Sequence, residues 1–379
     1  MKRIAVLGCG LVGSTIVRDL SEDTSVLVRA FDVSAENLAR VARLPRVETA
    51  RADLSDRAAV GEAVADADAV VGAVPGRLGF AMLRAVVEAR KPIADISFSP
   101  ENPLELDPLA KERGVTAVVD CGVSPGLSNL AVGRAAAKLD RIDDAVIMVG
   151  GLPVERHWPF EYRIVFSATD VIEEYTRPAR LVECGRVVVR PALSEVELVE
   201  FDRVGTLEAF NTDGLRTLID TIDATNMREK TLRYPGHAER MRMLRETGFF
   251  SEVPERVGGA DVAPRELTET LLFRAWKRAA DEQELTVLRV TVEGMRGPQR
   301  RRLVYELFDR TDSAGQTSMA RTTGFPCAIV ARLLASGEYR DAGIRPPELF
   351  ASDERVYATL VSELRRRGID WRERDEALA

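Results

Sequence analysis

A short apolar run, Ile4-Ala5-Val6-Leu7, stops at Gly8 and gives way by Leu11 to a helical pattern, with glycines at positions 8, 10 and 13. No other stretch limits the possible folds so tightly. Gly8 permits a tight turn, Gly10 lets backbone approach a bulky anion, and Gly13 lets the helix pack closely on the strand. The helix start at Leu11 and Val12 offers free N–H groups and the positive end of a dipole to phosphate. A second strand, Val26 to Asp32, ends on an acid nineteen residues after Gly13. A carboxylate there is placed for the hydroxyls of an adenosine ribose. Strand, glycine turn, helix, strand and acid together predict a dinucleotide-binding α/β unit.

Residues 3 to about 120 go on alternating apolar runs with helical patterns. Ser34 is placed to cap a helix through Ala42. Val47 to Ala50 reads as a weak third strand, and Ala69 to Val74, continuously apolar, as a buried parallel one. A helix from Phe80 to Arg90 leads into Pro92 to Ile96, and another from about Pro103 to Arg113 leads into Val115 to Val119. Six strands with intervening helices predict a doubly wound parallel (Rossmann) sheet with right-handed crossovers. Ligands of such sheets gather beyond the carboxyl ends of the strands. The cofactor-facing set is therefore Gly8, Gly10, Leu11, Val12, Gly13, Asp32, Val33, Asp53, Val74, Pro75 and Gly76. By the same rule the polar strand ends Asp95-Ile96-Ser97 and Asp120-Cys121-Gly122 make Asp95, Ser97 and Asp120 candidates for facing a substrate.

The pattern changes past Val123-Ser124-Pro125-Gly126-Leu127-Ser128-Asn129, which reads as a joint followed by a helix to Leu139. Strands are expected at Ala145–Gly150, Glu161–Phe166, Leu181–Val189, Val196–Phe201, Leu207–Phe210, Leu285–Glu293 and Val304–Phe308. Helices are expected at Ala168–Tyr175, Gly214–Ile222, Pro235–Thr247 and Pro264–Ala280. Runs of strands without helices of crossover length predict an α+β domain on a mixed or antiparallel sheet. From Ser318 the pattern is helical again, and the stripe Phe325, Ile329, Val330, Leu333, Leu334 suits a return to the first domain. The expected division is 1–125 plus about 318–379 for the nucleotide domain, with 126–317 inserted as the substrate and dimerisation domain. The last helix, Asp353 to Arg367, is expected to be peripheral.

Composition narrows the partners. A net charge of −7 disfavours nucleic acid and anionic membranes, and no apolar run approaches the length of a membrane span. Cys9, Cys121, Cys184 and Cys327 have no metal-ligand spacing and suit reduced thiols in the cytoplasm, with no signal peptide expected. With two histidines, no metal site is expected.

The chemistry of a dehydrogenase needs a base and groups that hold the substrate. Thr231-Leu232-Arg233-Tyr234-Pro235-Gly236-His237 packs an arginine, a phenol and an imidazole into five positions at a helix mouth. Arg233 is suited to fork onto a carboxylate, Tyr234 to line the substrate, and His237 to move a proton near neutral pH. A helix-starting turn with a surface arginine is the competing reading. His157-Trp158-Pro159-Phe160-Glu161-Tyr162-Arg163 suits a pocket wall or a dimer interface equally. No P-loop lysine is present, so NTPase chemistry has no support.

These residues resemble the saccharopine dehydrogenase-like family and, within it, the lysine 6-dehydrogenases. The matching stretches are Gly8 to Gly13, Asp95 to Leu106, Val123 to Asn129, Gly150 to Pro153, Asp170 to Arg180, Thr231 to His237 and Thr323 to Phe325. The resemblance implies NAD-linked oxidative deamination of the lysine side-chain amine to 2-aminoadipate 6-semialdehyde, which cyclises to a piperideine carboxylate. It implies a homodimer with an inserted catalytic domain. It also implies Asp95, Asp120 and Arg233 as substrate-facing positions, with Arg233 on the carboxylate and Asp120 or His237 taking the amine proton. Asp32 favours NAD, because a carboxylate repels a 2′-phosphate. The alternatives are saccharopine or carboxynorspermidine dehydrogenase and, in another class, an NAD-binding sensor without turnover.

Overall fold

The structure, a computed structural model, describes residues 1–163, 168–279 and 281–378. The chain begins β1 (Lys2–Leu7), α1 (Leu11–Glu22), β2 (Val26–Asp32), α2 (Ala35–Ala39), β3 (Val47–Arg51), α3 (Arg57–Val64) and β4 (Ala69–Gly72). It continues through α4 (Gly76–Glu88), β5 (Ile93–Asp95), α5 (Asp107–Arg113), β6 (Thr116–Val118) and α6 (Leu127–Ala136). The strands are short and apolar because both faces of the sheet are covered: Leu7, Val70, Ile93 and Ala117 lie in one core with Val86 of α4 and Ala110 of α5. Ser34 accepts from Asn37 N to cap α2, as its position predicts.

Next come β7 (Arg141–Pro153), α7 (Ala168–Thr176), β8 (Ala179–Glu183), β9 (Arg186–Arg190), β10 (Glu197–Phe201), β11 (Gly205–Asn211), α8 (Leu218–Thr221) and β12 (Ala224–Arg233). They are followed by α9 (His237–Glu246), β13 (Glu255–Val257), β14 (Ala260–Val262), α10 (Pro264–Trp276), β15 (Glu284–Arg296) and β16 (Gln299–Arg310). The chain closes with α11 (Ser318–Ser336), β17 (Gly343–Ile344), α12 (Pro347–Phe350), α13 (Glu354–Arg366) and β18 (Asp370–Ala377).

Two units emerge. The first comprises Met1–Leu139, Arg216–Ile222 and Ala320–Trp371. Its parallel sheet runs β17-β6-β5-β4-β1-β2-β3, so a seventh strand from near the C-terminus extends the six expected. Asp19 of α1, buried, is held by Arg332 of α11 at 2.6 Å and by Arg367 at 2.6 Å. The C-terminal helix is therefore not peripheral: Val356, Leu360 and Leu364 of α13 are buried.

The second unit comprises Asp140–Leu215, Asp223–Met319 and Arg372–Ala379. Its mixed sheet runs β10-β11-β12-β7-β15-β16-β18, with β8 and β9 branching from β12. Only β12 and β7 pair in parallel among the registers described. Successive residues of β11 feed opposite faces: Phe210 joins a core with Tyr175, Met241 and Trp276, whereas Leu207 and Ala209 join one with Leu152 and Leu232.

The observed division differs from the expected one at α6, Arg216–Ile222 and the last residues. The run Leu181–Val189 is a hairpin rather than one strand, because Cys184 and Gly185 both take positive φ. The expected strand Glu161–Phe166 is not one at 161–163, and its remainder lies outside the described residues. The central strand β12 was absent from the sequence reading.

Candidate functional site

In the first unit, the glycine turn meets its three expectations in measurable form. Gly8 has φ 101°, and a Cβ there would lie 2.3 Å from Ala73 O. A Cβ on Gly13 would lie 2.1 Å from Gly8 O, so turn and helix meet backbone to backbone. Around Gly10 the space is open within 4 Å, and no side chain caps α1. That open cradle at an uncapped helix start fits a pyrophosphate. Leu11 and Val33 flank it as exposed apolar side chains, 49% and 56% accessible. Val74 is buried, Pro75 caps α4, and Gly76 begins it. Asp53 is exposed and accepts from the Ser55 hydroxyl at 2.6 Å and from Ser55 N at 3.0 Å, which together hold its carboxyl below the usual range.

Asp32 is nearly buried and already engaged. Its carboxylate accepts from Cys9 N at 2.7 Å, Asn37 Nδ2 at 3.2 Å and Ser34 N at 2.8 Å. It braces the glycine turn from the end of β2. Arg51 is its register partner on β3, exposed, with Nε donating to Val33 O at 2.9 Å.

The polar strand ends of the first unit converge. Asp95 closes β5 and accepts from Ser97 N at 2.9 Å. Burial, with the Asp120 charge adding to it, pushes Asp95 up to about 7. Asp120 has φ 50° and is 3% exposed. Its Oδ1 accepts from Arg216 Nη2 at 3.3 Å, while Oδ2, also buried, has no hydrogen-bond partner among the described residues. Ser97, also buried, stands beside Asp95 on the same loop. Val123 to Asn129 forms the tight loop into α6: a Cβ on Gly126 would strike Gly122 O at 1.9 Å. Asn129 there accepts from Gly126 N at 3.1 Å and donates to Glu348 at 3.2 Å.

Arg233, Tyr234 and His237 belong to the second unit, where all three are buried. Arg233 ends β12, pairs through Nη2 with Glu174 of α7 and lies 4.6 Å over the Tyr162 ring. The cation is thus matched inside the protein. Tyr234 donates to Pro153 O at 2.9 Å under the Arg156 guanidinium. His237 places Nδ1 2.9 Å from Phe160 O and Nε2 2.9 Å from the Tyr175 hydroxyl. Burial and the Arg233 charge push it down to about 3, so the ring is neutral. Facing a carbonyl, Nδ1 carries the proton, and Nε2 accepts from Tyr175. Both nitrogens are committed, and His237 sits in an aromatic layer with Tyr162 and Trp276. The helix mouth is closed too: Glu208 of β11 accepts from Gly236 N at 2.8 Å and from Ala238 N.

Arg216, Glu208 and Glu229 are not marked by the sequence, and Glu174 reads there as part of a solvated helix end. Arg216 and Glu229 lie in runs that look like solvated charge, and only the tertiary fold buries them. Glu174 alone had a signal, in the Asp170 to Arg180 stretch.

Fold, glycine turn and open cradle define a dinucleotide-binding protein of the doubly wound class. Residues 4–118 match the family model for the saccharopine dehydrogenase NADP binding domain, and 122–369 that for the saccharopine dehydrogenase C-terminal domain. The chain belongs to the saccharopine dehydrogenase family. The NADP(+), L-glutamate-forming saccharopine dehydrogenase of Pyricularia oryzae is 21% identical, over 98% of this chain and 99% of its own length. The mitochondrial alpha-aminoadipic semialdehyde synthase of Mus musculus is 20% identical over 97% of this chain, which spans 47% of that protein. Apo saccharopine dehydrogenase (L-Glu forming) from Saccharomyces cerevisiae shares the fold, with TM-score 0.83 over all of both chains at 16% identity.

Proposed function

We propose that the protein catalyses NADP-linked oxidation of saccharopine to L-glutamate and 2-aminoadipate 6-semialdehyde. In that reaction the secondary amine loses a proton and the adjoining lysine-derived carbon a hydride; water adds to the resulting imine and the C–N bond breaks. The nicotinamide, when bound, supplies the hydride acceptor. The observation that carries the reading is Asp120: a buried carboxylate oxygen without a hydrogen-bond partner among the described residues, at the carboxyl end of the sheet that carries the glycine turn. Asp120 takes the amine proton, and Asp95, pushed up to about 7 by burial and so about half protonated at that pH, donates a hydrogen bond in its protonated form without adding a second full charge. Arg233 and His237 build the second unit's core.

NADP rather than NAD is favoured by the names of the matching domain and relatives. Two features of the structure lessen the objection drawn from the charge of Asp32: its oxygens accept from protein donors, and Arg51 offers a cation beside it. Lysine itself is the second reading, favoured by the Asp170–Arg180 and Thr231–His237 stretches. Product analysis decides: incubation with saccharopine and NADP should release L-glutamate in step with NADPH. Ammonia from lysine, with no glutamate from saccharopine, would replace this reading with the second.

A further inference from the structure

We infer that Arg216 is a positioning residue for the reaction, fixing the Asp120 carboxylate so that one oxygen is bonded and the other is left for the substrate amine. This rests on the reading that Asp120 takes the amine proton. Both residues belong to the first unit, yet Arg216 reaches it from a short segment, Arg216–Ile222, that the rest of its neighbourhood in sequence does not share.

Three contacts immobilise the guanidinium. Nη1 donates to Ser99 O at 2.6 Å, Nη2 to Asp120 Oδ1 at 3.3 Å, and the plane lies 4.6 Å from the centre of the Phe98 ring. Ser99 and Phe98 lie in the loop that leaves β5, so the arginine ties the ends of β5 and β6 together. Arg216 is 6% exposed, and its Nε has no hydrogen-bond partner among the described residues. Both members of the pair hold left-handed backbone, Asp120 at φ 50° and Arg216 at φ 53°. Non-glycine residues persist in that region only where the surroundings overdetermine them, and such residues cluster at functional sites.

Charge gives the pair its consequence. Asp95 from β5 and Glu348 from α12 face Asp120, Cys121 adjoins it, and Cys327 of α11 faces Asp95. Burial pushes Asp95 and Glu348 toward their neutral forms. Arg216 pairs with Asp120 at 3.3 Å, both side chains buried, and so holds its carboxylate among these acids. A carboxylate gripped by one oxygen keeps its second lone pairs directed, which a freely rotating one does not.

The test compares Arg216→Gln, Arg216→Lys and Asp120→Asn in the full chain, with saccharopine and NADP, each checked for NADPH binding and thermal unfolding. Arg216→Gln should lower kcat roughly 30-fold with KM for NADP held within about twofold. Arg216→Lys should return kcat to within about fivefold of the parent, because the charge remains. A Gln variant whose kcat stays near the parent's, or whose KM for NADP rises as far as its kcat falls, or a Lys variant no better than it, overturns the inference. If the Gln variant does not fold, the Lys variant decides alone: a loss of kcat beyond roughly fivefold overturns the inference, and a smaller one with KM for NADP unchanged supports it. Asp120→Asn separates the two layers. Retained turnover there removes Asp120 as the base, whereas an inactive Asn variant beside a parent-like Gln variant removes only the role of Arg216.

Discussion

The Asp32 carboxylate accepts a 2.7 Å hydrogen bond from the backbone N–H of Cys9, joining the end of β2 to the centre of the glycine turn. Ser34 N and Asn37 Nδ2 complete its shell. An acid that the sequence assigns to ribose is thus also a brace for the loop that holds pyrophosphate. Asp32→Ala should weaken NADPH and NADH together, each by roughly tenfold, because a charge-assisted bond to the loop is worth about 1.5–3 kcal/mol. Fluorescence titration with both nucleotides checks this. Tighter NADPH and weaker NADH would instead show Asp32 acting as a discriminator.

Arg51 tests the other half of the cofactor reading. It is the register partner of Asp32, and its guanidinium is tethered by Nε to Val33 O with the rest exposed. Arg51→Ala should raise Kd for NADPH by about tenfold and leave NADH within about twofold, since only NADPH has a 2′-phosphate for the fork. Equal effects on both nucleotides would place the 2′-phosphate elsewhere.

Glu229 predicts a pH dependence of stability. Burial, followed by the influence of Glu174 and Asp213, pushes it up to about 8, and the Thr212 hydroxyl bonds it. Below pH 4.5 folded and unfolded chains both hold the proton. Above that, the unfolded chain ionises while the folded one does not, so this residue erodes stability as pH rises toward 8. Glu229→Gln keeps the shape and loses the titration. It should match the parent near pH 5 and exceed it by on the order of 3 kcal/mol near pH 8.5 in denaturant melts. A gap that does not widen with pH would contradict this assignment.

His237 works in the opposite direction. Pushed down to about 3, it stabilises the fold above pH 6.5 and loses that contribution as pH falls toward 3. His237→Phe should be destabilised by about 2–3 kcal/mol at pH 7.5, from the lost partner of Tyr175, and by less near pH 5. Whatever activity it keeps should show the parent's kcat/KM profile. Loss of an ionisation near neutrality in this variant would return His237 to the role of base.

Much of the first unit was legible because parallel strands and the glycine turn impose local patterns: Ala69 to Val74 can hardly be anything but a buried strand. The short strand β17, Gly343–Ile344, has too few residues to announce itself and forms only by pairing with β6. In the second unit, β12 was hidden by Arg228-Glu229-Lys230, which reads as surface. Glu229 and Lys230 are buried because Thr212 and Glu197 answer them from other segments. The same cause concealed part of the candidate site. Asp95, Ser97 and Asp120 could be named from the rule that polar strand ends face ligands. Arg216 could not, because its partners lie about a hundred residues away in sequence. Thr231 to His237 was legible as a polar cluster, but not its partners Glu174, Tyr175 and Glu208, which come from other segments of the second unit.

Steady-state kcat/KM for saccharopine with NADP, set beside lysine with NADP and saccharopine with NAD, tests the central claim most directly. The account predicts that saccharopine with NADP exceeds each of the other two by at least roughly tenfold, the difference that one missing charged contact makes. Turnover of lysine that matches or exceeds that of saccharopine would contradict it.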